Sequence, residues 1–133
     1  MMHPADTIKI FQSALEFQTY PAGTVIFQSG DVGECMYGIL AGEVEQLIDG
    51  EVRELLTIGD VFGVGALVHE DGLRVSTAKA KTDCKLACID RRHFLFAVQE
   101  TPLFALEVLR SYSDRLRHLK TLPLPVVQRP KHA

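Results

Sequence analysis

The chain has 133 residues, a formal net charge of −3 and 47 % apolar residues, which describes one domain able to bury about two-thirds of its unfolded surface. No dense basic run occurs, so a nucleic-acid-binding surface is not indicated. The apolar residues never approach ~18 in succession, so nothing is expected to span a membrane.

The first residues, MMHPADTIKI, lack the basic start and apolar core of a secretory signal. The three cysteines, Cys35, Cys84 and Cys88, are too sparse for a disulfide scaffold, and the expected compartment is the reducing cytoplasm. Cys84 and Cys88 fall on one face of an alternating run and read as core thiols. The histidines are dispersed and none pairs with a cysteine at metal-ligand spacing, so no metal is expected.

Ile8, Ile10, Phe11, Ala14, Leu15 and Phe17 predict a short amphipathic helix over Thr7 to Gln18, capped by Asp6 or Thr7 and ended at Tyr20-Pro21. From Gly23 the character turns β. Strands are expected over 23–27 and 35–40, and 44–48 pairs with 52–56 across Asp49-Gly50, a hairpin signal. Glycine turn signals recur at 23, 30, 42, 50 and 59, a rhythm typical of barrels and sandwiches. Two further strands are expected over 74–82 and 84–89. In the first of them Arg74, Ser76, Ala78 and Ala80 share one face, small side chains beside an arginine. Asp90 to Glu100 reads as a helix. Thr101-Pro102 then opens a second, over 102–120, with an apolar seam of Leu103, Leu106, Leu109, Tyr112, Leu116 and Leu119. That seam can pack on the barrel, on a second copy, or on both. Residues 122–133, with three prolines, read as a loose tail.

The stretch Phe62 to Ala80, FGVGALVHEDGLRVSTAKA, joins the two halves. Gly63-Val64-Gly65 permits unusual backbone angles before a single turn at Ala66-Leu67-Val68, whose first N–H groups are unpaired. Such N–H groups and an arginine brought back beside them make an anion site; the other reading is a plain turn with a surface arginine. Gly63-x-Gly65 is no dinucleotide fingerprint, because Val68 stands where the third glycine belongs and no βαβ unit surrounds it. Glu70 and Asp71 read as a solvated loop, and no nucleophile motif such as G-x-S-x-G occurs. Arg110, Arg115, Arg117 and Lys120 read mainly as the wet face of the last helix.

Two stretches, in register, resemble the cyclic nucleotide-binding domain shared by the catabolite activator protein family and the regulatory subunits of cyclic-AMP-dependent protein kinase. The first, Gly23-x-x-Ile26-Phe27-x-x-Gly30-Asp31-x-Gly33-x-x-Met36-Tyr37-x-Ile39-x-x-Gly42-x-Val44, is similar to the family's glycine-spaced opening strands. The second, Phe62-Gly63 to Arg74, is similar to its phosphate-binding cassette. The resemblance runs from about Phe17 to Leu119. It implies a mainly β fold with flanking helices: a double-stranded β-helix or jelly-roll barrel over about 20–90, a short N-terminal helix and two C-terminal helices over about 91–120. One domain, 1–121, then precedes the tail.

By position, Arg74 would pair with the cyclic phosphate, and Gly63, Val64, Gly65, Ala66 and Leu67 would form an amide cradle. Val64 departs from the family's glutamate, which accepts the ribose 2′-hydroxyl. Losing a charge-assisted hydrogen bond of about 1.5–3 kcal/mol weakens binding roughly 10- to 100-fold. Val75 stands where the family has serine or threonine, and Ser76, one position on and facing with Arg74, is the candidate to compensate. Gly38 interrupts the family's apolar run. In relatives the last helix covers the nucleobase, which makes one of its basic residues a candidate to reach the ligand.

The resemblance therefore implies a non-enzymatic, cytoplasmic regulatory module, similar to the sensor part of a transcription regulator. Its ligand is a cyclic nucleotide such as cyclic AMP or cyclic GMP, or a related phosphate compound, with no other cofactor. It would signal through helix 102–120, which is also where a homodimer would form. No helix-turn-helix follows, so direct DNA binding is not expected. The alternative is a degenerate domain that no longer binds nucleotide and serves as a dimerisation or docking module.

Overall fold

A computed structural model describes residues 3–12 and 16–121. Two four-stranded antiparallel sheets face each other, with helices at both ends of the chain. One sheet has the order β1 (Gln18–Tyr20), β8 (Cys84–Asp90), β3 (Cys35–Ala41), β6 (Val61–Phe62); the other has β2 (Val25–Phe27), β7 (Thr77–Ala80), β4 (Val44–Ile48), β5 (Glu51–Leu56). This is the expected mainly β barrel with flanking helices.

The sequence of the central strands follows from burial on both faces. In β3, Tyr37 and Ile39 enter the core between the sheets, and Met36 lies under the helices. In β8, Leu86 and Cys88 face inward, whereas Ala87 and Ile89 face the helices. A strand buried on both sides reads as a continuous apolar run, as 35–40 does. Gly38 is explained by the same packing. A Cβ there would lie 2.7 Å from the Cα of Ala5, so the glycine lets helix α1 sit directly on β3.

Helix α1 runs from Pro4 to Phe11, earlier than the predicted Thr7 to Gln18. Proline at the first turn starts it, with Asp6 inside that turn, so neither Asp6 nor Thr7 caps it. Thr7 instead donates a hydrogen bond of 3.1 Å to Glu107, tying this helix to the last one. Gln18–Tyr20, expected to close the helix, pairs with β8 as a strand. Residues 13–15 of the predicted helix and the predicted tail at 122–133 lie outside the described residues. The hairpin at Asp49-Gly50 forms. The strand expected from Arg74 begins only at Thr77. Arg74 therefore precedes the ladder, yet the alternation holds: Arg74, Ala78 and Ala80 are buried.

Helix α2 is one turn, Gly65–Val68. Helix α3, Arg91–Glu100, is capped by Asp90, whose carboxylate accepts from the His93 amide at 2.9 Å. Helix α4 runs from Leu103 to Thr121. Its packed face is not the leucine seam: Phe104 and Val108 enter the core beneath it. Leu103, Leu106, Leu109, Leu116 and Leu119 are exposed, Leu109 at 64 %. Of the predicted seam, Tyr112 alone packs against that core. No helix among the described residues is long and apolar enough to cross a membrane.

Candidate functional site

The site forms where β6 turns into α2 and the chain returns at Arg74. The return is fixed by backbone pairing. Arg74 donates its amide to Asp31 and accepts from Gly30, both at 2.7 Å, and Gly33 donates to Gly72 at 2.8 Å. Asp71 accepts from the Leu73 amide at 3.0 Å, so it shapes the loop.

These bonds aim the Arg74 side chain inward. Its guanidinium donates to the carbonyls of Gly63 (Nη1, 2.9 Å) and Cys35 (Nη2, 2.6 Å). It lies 4.1 Å from the Phe27 ring centre and 5.9 Å from that of Tyr37, a cation–π stack on two electron-rich faces. Two glycines make the room. A Cβ on Gly33 would stand 2.3 Å from Arg74 Nε, and one on Gly63, which also takes φ 84°, would stand 2.7 Å from Nη1.

Arg74 is only 6 % exposed. Among the described residues no carboxylate ion-pairs with it, and its buried Nε has no hydrogen-bond partner. Neutral carbonyls and ring faces compensate a buried charge only in part. The arrangement is a buried positive centre with no carboxylate paired to it among the described residues.

A cleft of about 530 Å³ opens beside it, between the cassette, β4, β5 and α4. Gly63, Val64, Gly65, Ala66, Arg74, Val75 and Ser76 all border it. Leu67 does not; its side chain is buried in the core under the helices. Val75, 79 % exposed, stands at the mouth. Ser76 donates to Gln46 Oε1 at 2.5 Å, so in this arrangement its proton is already committed. The cradle amides are partly engaged as well. Ala66 and Leu67 close the turn on the carbonyls of Gly63 and Val64, at 3.4 and 2.9 Å.

The far wall comes from α4, and its polar contacts were not legible as such in the sequence. The Tyr112 hydroxyl accepts from the Val64 amide at 3.3 Å. Arg115, read as a wet-face residue, forks onto both carboxylate oxygens of Glu54 at 3.0 and 3.3 Å, donates to the Val61 carbonyl, and lies 4.3 Å from the Tyr112 ring centre. Side-chain exposure of the pair is 13 % for Arg115 and 21 % for Glu54. Burial works to lower the Arg115 pKa, but the bonds and charge of Glu54 outweigh it and hold the guanidinium above its ordinary value. Burial also raises the Tyr112 phenol. The available signal was spacing: 104, 108, 111 and 115 recur at four, three and four, which puts Arg115 on the packed face. No group of three or more metal-ligating side chains gathers among the described residues.

This architecture and this corner define a class. The chain belongs to the cyclic nucleotide-binding domain family, whose profile matches residues 17–101. It is 43 % identical over 82 residues to a cAMP-dependent protein kinase regulatory subunit of Schizosaccharomyces pombe, covering 61 % of this chain and 20 % of that protein. It is 27 % identical over 117 residues to the cAMP-activated global transcriptional regulator CRP of Pasteurella multocida, covering 84 % and 56 %. Among solved structures, the Thermus thermophilus catabolite activator protein superposes with a TM-score of 0.67 at 28 % identity, over 88 % of this chain and 55 % of the other. The chain thus spans about half the length, or less, of these relatives.

Proposed function

We propose that this domain is a regulatory module that binds a cyclic nucleotide in the 530 Å³ cleft, with Arg74 pairing the cyclic phosphate. The observation that carries this is the Arg74 guanidinium: buried, unpaired by any carboxylate among the described residues, and left with an unpartnered Nε beside an open cleft. The guanidinium already donates charge-assisted bonds to two neutral carbonyls; a phosphate oxygen adds the opposite charge that those carbonyls lack. Amides at Gly63 to Leu67 would complete the cradle. With Val64 in place of a carboxylate, the sugar is held weakly, and affinity rests on the phosphate and on the base.

The base would lie toward α4, against Tyr112, Arg115 and Leu116. Because Tyr112 accepts from the cassette amide at Val64, a ligand that shifts the cassette changes a contact of α4. That is the route by which binding would bias the helix. The exposed leucine stripe is the surface on which two copies would associate; sedimentation equilibrium checks this, with Leu109→Asp expected to give a monomer. The role is regulatory rather than catalytic, and the cytoplasm is the proposed compartment.

Thermal unfolding with 1 mM-range cyclic AMP or cyclic GMP tests binding. A ligand at ~100 times its Kd stabilises by about 2.7 kcal/mol, a shift of several degrees for a domain of this size. Linear 5′-nucleotides should shift it less. A second reading, a docking module without nucleotide binding, is favoured by Val64 and by the commitment of Ser76 to Gln46. It predicts no shift with either ligand.

A further inference from the structure

Near Arg74 sits a pair of thiols that do not border the cleft and that the binding reading does not use. Cys35 pairs with Asp90 and Tyr37 with Cys88 across β3 and β8, so Cys35 and Cys88 are diagonal neighbours on one face of the sheet. Both pack into the core between the sheets, Cys35 partly exposed and Cys88 buried. Neither is in a disulfide. Cys88, Tyr37 and the Arg74 guanidinium all lie close enough to the Cys35 sulfur to act on its charge. Gln18 Nε2 donates to Cys88 Sγ at 3.5 Å. The third thiol is built differently: Cys84 is buried and donates to the carbonyls of Glu43 and Thr82, each at 3.2 Å.

We propose that Cys35 and Cys88 form a redox-modification site, in which a hydroperoxide oxidises Cys35 and Cys88 resolves it as an intramolecular disulfide. The Cys35 thiolate attacks one peroxide oxygen; the S–O bond forms, the O–O bond breaks, and the other oxygen leaves and takes a proton. The Cys88 sulfur then attacks the sulfenic sulfur, the S–S bond forms and the S–O bond breaks. The departing hydroxide takes the Cys88 proton and leaves as water. Two thiols lose two electrons, which reduce the peroxide to water and an alcohol, or to two waters when the oxidant is hydrogen peroxide.

The surroundings suit that chemistry. Cys88 is the main influence holding the Cys35 thiol down at about 6, against burial, with Tyr37 and Arg74 helping. Burial raises Cys84 instead. The thiolate is the nucleophile, so Cys35 reacts at neutral pH and Cys84 does not. Diagonal neighbours stand about 7–8 Å apart at Cα, beyond the ~4.4–6.8 Å a disulfide takes. Paired strands already stand about 4.8 Å apart, so closing the bridge slides β3 along β8 or bulges one of them at this point. The Cys35 carbonyl, which holds Arg74 Nη2, moves with it, and the phosphate centre changes. This last consequence rests on the proposed nucleotide site; the thiol chemistry does not.

The test treats the native protein with hydrogen peroxide and maps thiols by mass spectrometry. Expected is a Cys35–Cys88 cross-link with Cys84 unreacted until unfolding, a rate that rises with pH around 6, and reaction in Cys84→Ser as in wild type. Cys88→Ser should accumulate sulfenic acid at Cys35, trapped by dimedone. The oxidised protein should bind cyclic nucleotide about 10-fold differently, with dithiothreitol restoring the first value. Equal native reactivity of Cys35 and Cys84, or cross-links only between chains, would overturn the site. A bridge in a protein that binds no nucleotide leaves the thiol site standing and removes the binding reading. Unchanged affinity on bridging removes the coupling alone.

Discussion

Arg74 holds its place through what its neighbours lack. Gly33 and Gly63 are needed because the guanidinium occupies the volume a Cβ would take, 2.3 and 2.7 Å from its atoms. Gly33→Ala is therefore expected to push the guanidinium off the Phe27 face. It should cost about 1–3 kcal/mol, the usual penalty of overpacking, and weaken nucleotide binding in parallel. Urea unfolding and calorimetry on the same variant check it. A cost near zero with unchanged binding would mean the slot does not position the arginine. The sequence showed Arg74, Ser76, Ala78 and Ala80 on one face by simple alternation, and Arg74, Ala78 and Ala80 are buried. It could not show that Arg74 rests on the carbonyls of Gly63 and Cys35, because those contacts join segments 11 and 39 positions away.

At the scale of elements, α4 is the piece whose reading changed most. Leucines at spacings of three and four named one face, and the helix packs with another. Spacing alone cannot choose between two apolar stripes when one carries Phe104 and Val108 and the other five leucines. The charge run likewise concealed Arg115, whose partner Glu54 lies 61 positions away. The fork between them docks α4 on the barrel. Arg115→Ala should cost about 2–3 kcal/mol, somewhat under the 3–5 of a fully buried pair, since both side chains retain some exposure. Much of that cost is the carboxylate left behind. Hence Glu54→Ala/Arg115→Ala together should be less destabilised than the sum of the single variants, a coupling that a double-mutant denaturation cycle reads. Strict additivity would show the pair to be idle.

For the molecule as a whole, the positions of β2, β3, β4, β5, β7 and β8, the hairpin at Asp49-Gly50 and the cassette turn followed from local signals: glycine spacing, alternation and β-branched runs; β1, β6 and the order of strands in the sheets did not. What escaped was set by tertiary packing. Gln18–Tyr20 pairs with β8, although its neighbours carry helical spacing, and α1 starts at Pro4 because Gly38 gives it a flat place to lie. The two cores leave a titration signature. All three tyrosines, Tyr20, Tyr37 and Tyr112, have phenols raised above the ordinary value of 10, each chiefly by burial. A raised folded value contributes stability that is fully present below pH 10 and is lost as pH climbs past it. Tyrosinate absorbance should accordingly appear at higher pH in the folded protein than in the unfolded chain, whose tyrosines ionise near 10. Smooth ionisation near 10 in the folded protein would contradict the packing of all three.

The central claim is that Arg74 holds the phosphate of a cyclic nucleotide, and calorimetry on wild type and Arg74→Ala, with cyclic AMP, cyclic GMP and cyclic di-GMP, meets it directly. Wild type should bind at least one of them, and Arg74→Ala should bind it at least ~100-fold more weakly, the loss of about 3 kcal/mol carried by two charge-assisted hydrogen bonds. Equal affinity of the two proteins would contradict the assignment of the pocket, and absence of binding by folded, reduced wild type to all three would contradict the function.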